Sequence, residues 1–494
     1  MNQKQIVLAT LNARFIHASL GLRYLFANLG ELQDQAKVLE FIIKNPTQAI
    51  VDEILKHNPG IVGFGVYIWN TQQTERVIRL LKKSRPEVVI IIGGPEVSHE
   101  FEDQAIYQIT DHLITGQADM LFKSLCKEIL TGNAMIPKLI KAAPFKLGEL
   151  QLPYRFYNKS DIANRVIYVE ASRGCPFRCE FCLSSLDKTA YPFDTDLFLS
   201  EMDALYKRGA RTFKFVDRTF NLKISTSIKI LEFFIERMSD ELFLHFEMIP
   251  DNLPDPLKAL IILFPAGQLQ FEIGIQSFTN EVQVLISRRQ NNEKAKQNIR
   301  WLKENTQAHL HTDLIFGLPG ETLDSFASSF NQLVELGPDE IQLGILKRLR
   351  GTPISRHTQA HQLKFNNTAP YEIISTRLIN QSTVTQISRF SRFWDKIANS
   401  GRFKHCLPQV LAEDPFNNFL NLSDHLYGCF NRTHSIHVDK LFDAIATHYQ
   451  ANSSVLPALS KDKKLFQANA GYSPRSAHNH RQIKHLQPPA SAEV

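Results

Sequence analysis

The chain has 494 residues, of which 43% are hydrophobic and 21% charged, a composition that excludes wholesale disorder and, at this length, predicts more than one domain. No apolar run approaches the roughly 20 residues that cross a bilayer, and none near the N-terminus is long enough for a secretory signal, so we expect a cytoplasmic protein. The formal net charge of +6 lies mostly after residue 452, so the folded body is nearly neutral and no nucleic-acid partner is expected.

The first 135 residues alternate between short apolar runs and amphipathic segments. Strands are predicted at residues 5–9, 37–43, 61–66, 88–92 and 112–115, each followed by a helix. The fourth run is entirely β-branched, which is typical of a strand covered on both faces. Five such units predict a flavodoxin-like, doubly wound parallel sheet over residues 1–135, with ligands bound at the C-terminal ends of its strands.

Residues 136–163 contain three prolines and are predicted to be a linker. A second alternating series follows, with strands predicted at residues 165–171, 212–216, 242–248, 269–275, 309–315 and 340–346. Six repeats over residues 164–353 predict a partial (β/α)6 barrel, in which an active site would lie at the C-terminal strand ends. We expect a small helical region over residues 354–452, including a helix within 371–400, and a disordered tail over residues 453–494.

Three of the six cysteines, Cys175, Cys179 and Cys182, fall within eight residues directly after the first predicted barrel strand. In a reducing compartment, clustered cysteines favour a metal over disulfides, and thiolates select iron–sulfur clusters or zinc. A structural zinc site takes four ligands, but the next cysteine, Cys406, is more than 200 residues away. The spacing therefore favours a 4Fe–4S cluster with one iron open to a cosubstrate, and a zinc knuckle with a remote ligand is the alternative.

The C-x3-C-x2-C spacing, with Phe181 before the last cysteine, resembles the signature of the radical S-adenosylmethionine (SAM) superfamily. Most of residues 165–353 are similar to the branch that includes oxygen-independent coproporphyrinogen oxidase and the cobalamin-binding methylases. The resemblance implies that the open iron chelates the methionine amine and carboxylate of SAM, and that one electron then yields methionine and a 5′-deoxyadenosyl radical.

Acidic, amide and arginine side chains lie at the later predicted strand ends, where SAM would bind. The resemblance implies that Gln276 and Asp313 lie near the ribose and that Arg288 faces the methionine carboxylate, a group that suits a charged bidentate donor. The full set of predicted SAM contacts is Phe181, Asp217, Glu247, Glu272, Gln276, Arg288 and Asp313.

A doubly wound domain before such a barrel resembles the cobalamin-binding domain of the class B methylases. After the fourth strand, two glycines resemble the pair over which the nucleotide tail of cobalamin passes, because glycine lets the backbone approach closely. The Asp-x-His-x-x-Gly motif that supplies an axial histidine in some cobalamin proteins is absent, so we expect a cobalt without that ligand. A scaffold that has lost the cofactor is the alternative. The candidate cobalamin contacts are Asn12, His17, Tyr67, Gly93, Gly94 and Pro95.

Together these features predict a radical SAM enzyme that uses cobalamin to methylate or oxidatively rearrange an unactivated carbon, as a C-methyltransferase or cyclase. We expect a small-molecule substrate and an electron donor such as flavodoxin or ferredoxin. One alternative is a cobalamin-independent radical SAM enzyme. The other is a non-catalytic iron–sulfur or cobalamin sensor, with the helical region as its output module. Such a sensor would be expected to lack the SAM contacts that this chain retains.

Overall fold

The computed structural model describes residues 5–132, 135–450 and 454–470, and its first part is a six-stranded parallel sheet. The strands are β1 Gln5–Asn12, β2 Ala36–Ile42, β3 Pro59–Gly65, β4 Val89–Gly93, β5 His112–Thr115 and β6 Leu139–Lys141. The helices between them are α1 Leu20–Ala27, α2 Thr47–Leu55, α3 Thr71–Ser84, α4 Ala105–Gln108 and α5 Leu121–Thr131. The hydrogen-bonded order, β2-β1-β3-β4-β5-β6, is that of a flavodoxin-like doubly wound sheet and confirms the predicted fold.

The strands of this sheet are apolar throughout because both faces are covered. In β1, Val7, Ala9 and Leu11 belong to one hydrophobic cluster, while Ile6 and Leu8 belong to another. The prediction omitted β6, which lies inside the expected linker. Its short apolar pair hydrogen-bonds to β5 at the sheet edge, a pairing that no local periodicity reveals.

The second sheet forms the barrel, and all six of its predicted strands are present. They are β7 Ile167–Val169, β10 Thr212–Phe215, β11 Phe243–Met248, β12 Leu269–Gln276, β13 His309–Phe316 and β14 Glu340–Ile345, with a short antiparallel pair, β8 Ser172–Arg173 and β9 Tyr191–Pro192, beside them. The barrel order runs β14-β13-β12-β11-β10-β7 in parallel, so consecutive strands are neighbours and β7 and β14 are the edges of a partial barrel. The accompanying helices are α6 Lys159–Asn164, α7 Thr195–Lys207, α8 Ile224–Ile235, α9 Asp255–Ile261, α10 Asn280–Leu285, α11 Asn292–Asn305 and α12 Leu323–Leu336.

The C-terminal region packs against the outside of the barrel. It contains the hairpin β15 Lys364–Phe365 and β16 Ile373–Ser375, followed by α13 Gln381–Ile397, α14 Leu407–Leu411, α15 Pro415–Phe430, α16 Val438–His448 and α17 Val455–Ala470. Phe330 of α12 meets Trp394 edge-on, with ring centroids 4.8 Å apart. The helix predicted within residues 371–400 begins only at Gln381, because the Asn380 side chain caps its N-terminus.

The prediction of disorder from residue 453 onward is wrong for Val455–Ala470, which forms α17. Val455 and Leu459 are buried, and the Asp462 carboxylate accepts a hydrogen bond from the Cys406 backbone N–H at 2.9 Å. A few docked side chains therefore hold a segment whose overall composition is polar. The remainder of the predicted tail, residues 471–494, lies outside the described residues. Within the described part of the chain, no helix is both long and apolar enough to cross a membrane.

Candidate active site between two cofactor cavities

The cysteine loop leaves the barrel just after β8. At Gly174 the backbone φ is +95°, and a Cβ would collide with the carbonyl of Thr189, so this entry requires glycine. The Cys175 N–H donates to the Asp187 carbonyl at 3.0 Å, which closes the base of the loop. Burial raises the pKa of the Cys175 and Cys179 thiols, and bound iron would offset this by favouring the thiolate.

A cavity of about 260 Å³ joins the three cysteines to nearly all the predicted SAM contacts. These contacts meet because they lie on neighbouring parallel strands in register: Glu247 is the partner of Glu272, and Gly274 is the partner of Asp313. The predicted residues that line the cavity are Cys175, Cys179, Cys182, Phe181, Glu247, Glu272, Gln276, Arg288 and Asp313.

Two of these carboxylates lie side by side, each with basic side chains next to it. Glu247 pairs with Arg218 at 2.6 Å, and burial raises the pKa of Glu247. Glu272 lies 3.0 Å from His245 Nε2 and 3.7 Å from Lys214 Nζ; against the effect of burial, these partners lower the pKa of Glu272 well below its usual range. An ionised Glu272 in this wall suits a ligand amine or hydroxyl.

Gln276 and Arg288 lie together at the end of β12. A Cβ at position 274 would come within 2.5 Å of Gln276 Nε2, so glycine there makes room for the amide. Gln276 Oε1 is buried and has no hydrogen-bond partner among the described residues. Arg288 donates to the Gly274 carbonyl and lies 3.6 Å from Cys179 Sγ through its other terminal nitrogen. An unsatisfied buried acceptor beside a guanidinium is the pattern expected where a hydroxyl and a carboxylate bind.

Asp313, the third carboxylate of this cavity, contacts a histidine on its own strand. Its Oδ1 lies 3.1 Å from His311 Nε2 and has no hydrogen-bond partner in the described part of the chain. Despite the opposing effect of burial, Asp313 raises the pKa of His311 to about 9. Asp313 therefore retains an acceptor for a ligand while its charge is balanced.

The structure does not bring Asp217 to this cavity. Its carboxylate accepts hydrogen bonds from the Ala171 N–H at 2.9 Å and the Ser172 hydroxyl at 2.5 Å, and burial raises the pKa of Asp217 to about 7. The side chain connects the end of β10 to the segment that precedes the cysteine loop. We therefore expect a structural role for Asp217 rather than the predicted contact with SAM.

Sequence reasoning missed Glu180, which lies between the second and third cysteines. It is 2% exposed and accepts hydrogen bonds from the Ser287 hydroxyl at 2.5 Å and His357 Nε2 at 2.8 Å. Arg356 pairs with the same carboxylate. Glu180 thus anchors the cysteine loop to two distant loops, a role that only its partners reveal.

A second, larger cavity of about 1,060 Å³ lies between the first sheet and the barrel. Gly94 has φ +113°, and a Cβ there would lie 2.5 Å from the Val66 carbonyl oxygen, so this turn requires glycine. Tyr67 stacks on Trp69 with centroids 4.5 Å apart. All the predicted cobalamin contacts line this cavity: Asn12, His17, Tyr67, Gly93, Gly94 and Pro95.

Asn12 ends β1, and His17 lies in the loop between β1 and α1. The Asn12 amide donates to the His17 carbonyl at 2.8 Å and to Glu40 at 3.0 Å, so Asn12 mainly holds the loop in place. His17 Nδ1 lies 2.7 Å from the Tyr168 hydroxyl, while its buried Nε2 has no hydrogen-bond partner in the described part of the chain. Burial, with Lys214 and Arg14, lowers the pKa of His17 to about 4, so the imidazole is neutral. A large cavity with a glycine turn and an unsatisfied nitrogen in its wall fits a bulky polar cofactor.

One short segment of the chain contributes lining residues to both cavities. Tyr168, Arg173 and Leu183 line the larger one, while Cys175 and Cys182 line the smaller one. The arrangement is held by Arg173, which pairs with Glu170 at 2.5 Å and with Asp119, beyond β5 of the first sheet, at 3.2 Å.

Three family models match the chain in this order. Residues 6–125 match the B12 binding domain, residues 169–333 match the radical SAM superfamily, and residues 359–468 match a protein family of unknown function, DUF4080. The chain contains a radical SAM domain and a B12-binding domain. This composition confirms the predicted cofactor set of a 4Fe–4S cluster, SAM and cobalamin, and the donor sets and cavities described above fit these groups.

Curated relatives and solved structures are similar to much of this chain. The cobalamin-dependent radical SAM methyltransferase TokK of Streptomyces tokunonensis is 23% identical over 346 residues, which cover 61% of this chain and 49% of TokK. The 2-(S-pantetheinyl)-carbapenam-3-carboxylate methyltransferase of Streptantibioticus cattleyicolor is 23% identical, with 57% and 46% covered. The chain thus spans about half the length of these relatives. The cobalamin-dependent SAM radical enzyme OxsB, with aqua-cobalamin and SAM bound, has the same fold, with a TM-score of 0.64, 13% identity, and 98% of this chain and 84% of OxsB covered.

Proposed function

We propose that this chain is a cobalamin-dependent radical SAM methyltransferase that transfers a methyl group to an unactivated carbon of a small molecule. The observation that carries the proposal is the shared wall: one segment, residues 168–187, borders both the cysteine cavity and the large cavity. A substrate bound beside this wall would lie within reach of both cofactors. The names of the curated relatives support methyl transfer and give no support to a cyclase.

When bound, the cluster and cobalamin would supply one-electron cleavage of SAM and a methyl carrier. The chain's own residues orient SAM: Cys175, Cys179 and Cys182 hold the cluster, and Arg288 binds the methionine carboxylate. Glu272 accepts from the amine, while Gln276 and Asp313 accept from ribose hydroxyls, and Phe181 packs beside the last cysteine. Most of these groups are half-buried in the cavity wall, so bound SAM would displace water from the reacting centre.

In the larger cavity, other residues of the chain form the cobalamin-binding site. At Gly93, Gly94 and Pro95 the nucleotide tail can approach the backbone closely, and the Tyr67 ring forms an aromatic wall. The neutral His17 supplies a hydrogen-bonding nitrogen near the junction with the barrel. We expect electrons to come from a flavodoxin or ferredoxin, partners that suit an oxygen-sensitive cluster in the reducing cytoplasm.

Anaerobic reconstitution followed by a SAM-cleavage assay tests the proposal. We expect the wild-type chain to hold a 4Fe–4S cluster and cobalamin, and to form both 5′-deoxyadenosine and S-adenosylhomocysteine under reductant. Cys179→Ala should abolish 5′-deoxyadenosine, because a cluster iron loses its ligand. Cys429→Ala is the matched control, since Cys429 is exposed on α15, outside both cavities, and its loss should change neither product.

Persistence of 5′-deoxyadenosine in Cys179→Ala would refute the radical assignment. Cluster assembly without cobalamin retention would instead favour a cobalamin-independent radical SAM enzyme. A methylthiotransferase of that kind needs a second cysteine cluster. The remaining cysteines are dispersed, with Cys126 on α5, Cys406 beside α14 and Cys429 on α15, which disfavours that alternative.

A further inference from the structure

The segment between the last barrel strand and the C-terminal helices, residues 346–373, is here called the connector. Its two ends pair with each other: the Ile373 N–H donates to the Leu346 carbonyl at 2.8 Å, and the Arg348 N–H donates to the Tyr371 carbonyl at 3.0 Å. The connector is therefore a closed loop that emerges at the C-terminal edge of the barrel sheet, where the cofactor cavities lie.

The connector contacts the loop that follows the glycine turn of the large cavity. Glu96, directly after Pro95, is 4% exposed. Its carboxylate accepts from the Tyr371 hydroxyl at 2.5 Å and from Arg350 Nε at 3.2 Å. Burial raises the pKa of Glu96, and the two donors oppose that shift. The connector thus supplies an arginine and a second donor to a buried glutamate of the cobalamin side.

A second set of contacts fixes the same loop four residues further on. Glu100 pairs with Arg348 at 2.7 Å and accepts from the Gly351 N–H at 3.1 Å. Both Glu100 and Tyr371 have a positive φ, 47° and 57°, which costs energy in residues with a Cβ. Such conformations persist where surrounding contacts impose them, and here one lies in the cobalamin-side loop and the other in the connector.

The connector binds the cysteine loop with the same chemistry. The Ile354 N–H donates to the Glu180 carbonyl at 3.0 Å, and the Glu180 carboxylate accepts from His357 at 2.8 Å and pairs with Arg356. Each cofactor loop therefore contains one buried glutamate. The connector binds each of these glutamates through an arginine and a second hydrogen-bond donor.

From this symmetry we infer that the connector positions the two cofactor loops relative to each other, with Tyr371 and Arg350 as positioning residues for the cobalamin loop and His357 and Arg356 for the cysteine loop. The inference rests on the proposed function, because it requires cobalamin in the large cavity. It gives a role to the start of the C-terminal region, which overlaps the family of unknown function at residues 359–468.

Tyr371→Phe tests the cobalamin arm because it removes one hydroxyl and leaves the ring. Loss of a hydrogen bond to a carboxylate should weaken binding of hydroxocobalamin about tenfold. The absorption and EPR spectra of the reduced cluster should be unchanged. Tyr107→Phe is the control, since Tyr107 lies in the same domain outside both cavities and its hydroxyl has no hydrogen bond among the described residues.

His357→Asn tests the other arm and should give the opposite pattern. The change that SAM induces in the EPR spectrum of the reduced cluster should diminish, while affinity for hydroxocobalamin stays at the wild-type value. Equal cobalamin affinity in wild type and Tyr371→Phe would overturn the inference, and so would loss of both cofactors together in either variant, since that indicates general destabilisation.

A measurement without cobalamin separates this inference from the proposed function. In the cobalamin-free protein, Tyr371→Phe should speed hydrogen exchange in residues 95–101 relative to wild type and to Tyr107→Phe. If the wild-type chain binds no cobalamin, the proposed function fails. The difference in hydrogen exchange still tests whether the connector holds residues 95–101 in place. Unchanged exchange in a chain that does bind cobalamin contradicts the connector alone.

Discussion

The two cavities differ in size, chemistry and origin. The smaller, about 260 Å³, is lined by thiols, carboxylates and guanidinium groups from one barrel, whereas the larger, about 1,060 Å³, is lined by residues from both sheets and the loops between them. Strand ends in register place the residues of the smaller cavity, and loop contacts place those of the larger one. A polar site built on one sheet is thus set by local pattern, while a site between domains depends on how the domains dock.

The difference predicts where single substitutions act. A substitution in the smaller cavity should weaken SAM binding and leave cobalamin binding unchanged. A substitution in the larger cavity should do the reverse. Exceptions are expected at residues that connect the two, such as Arg173, whose guanidinium contacts side chains of both domains.

The largest selective effect is expected at the glycine turn of the larger cavity. Gly94→Val places a branched side chain where φ is +113° and the Val66 carbonyl leaves no room for a Cβ. Cobalamin retention should fall to background, while iron per chain stays at the wild-type level. Gly428→Ala is the control, because a Cβ there meets nothing within 4 Å. Wild-type cobalamin content in Gly94→Val would show that the turn is not part of the seat.

A substitution in the smaller cavity should give the complementary result. Arg288→Lys keeps the charge but removes the planar fork that suits a carboxylate. We expect the SAM dissociation constant to rise roughly 10- to 100-fold, the loss typical of one charge-assisted hydrogen bond or more, with cobalamin content unchanged. Equilibrium SAM binding to the reconstituted protein measures this. Arg300→Lys, on the outer helix α11, should bind SAM as wild type does, and equal affinity in both variants would remove Arg288 from the site.

Most of the residues that the sequence predicted to bind cofactors line the two cavities, and the features that it missed share a physical reason. Cysteine spacing and strand ends are local features, so the sequence alone could place Glu247, Glu272 and Asp313 together. Glu180 could not be found in this way, because its role depends on Ser287 and His357, which are over 100 residues away in the chain. The edge strand β6 and helix α17 were missed because tertiary contacts, rather than periodicity, hold them.

Asp217 lies outside the smaller cavity, and its substitution is expected to give the smallest effect. Burial raises its pKa to about 7 in the folded chain, against about 3.9 for an unperturbed aspartate. The neutral form is favoured on folding, so its stabilising contribution is complete below about pH 4 and is lost as the pH rises through 7. Asp217→Asn cannot ionise, so its free energy of unfolding relative to wild type should increase by about 2 kcal/mol between pH 5.5 and pH 8.

Chemical denaturation at several pH values measures that difference in the free energy of unfolding. The SAM affinity of the same variant then shows whether Asp217 is structural or contacts SAM. With the Asp217 carboxylate engaged by Ala171 and Ser172, the variant should bind SAM as tightly as wild type does. A constant stability difference across this pH range would contradict the raised pKa. A large loss of SAM affinity at every pH would return Asp217 to the set of cofactor contacts and extend the smaller cavity towards β10, into the wall that it shares with the larger one.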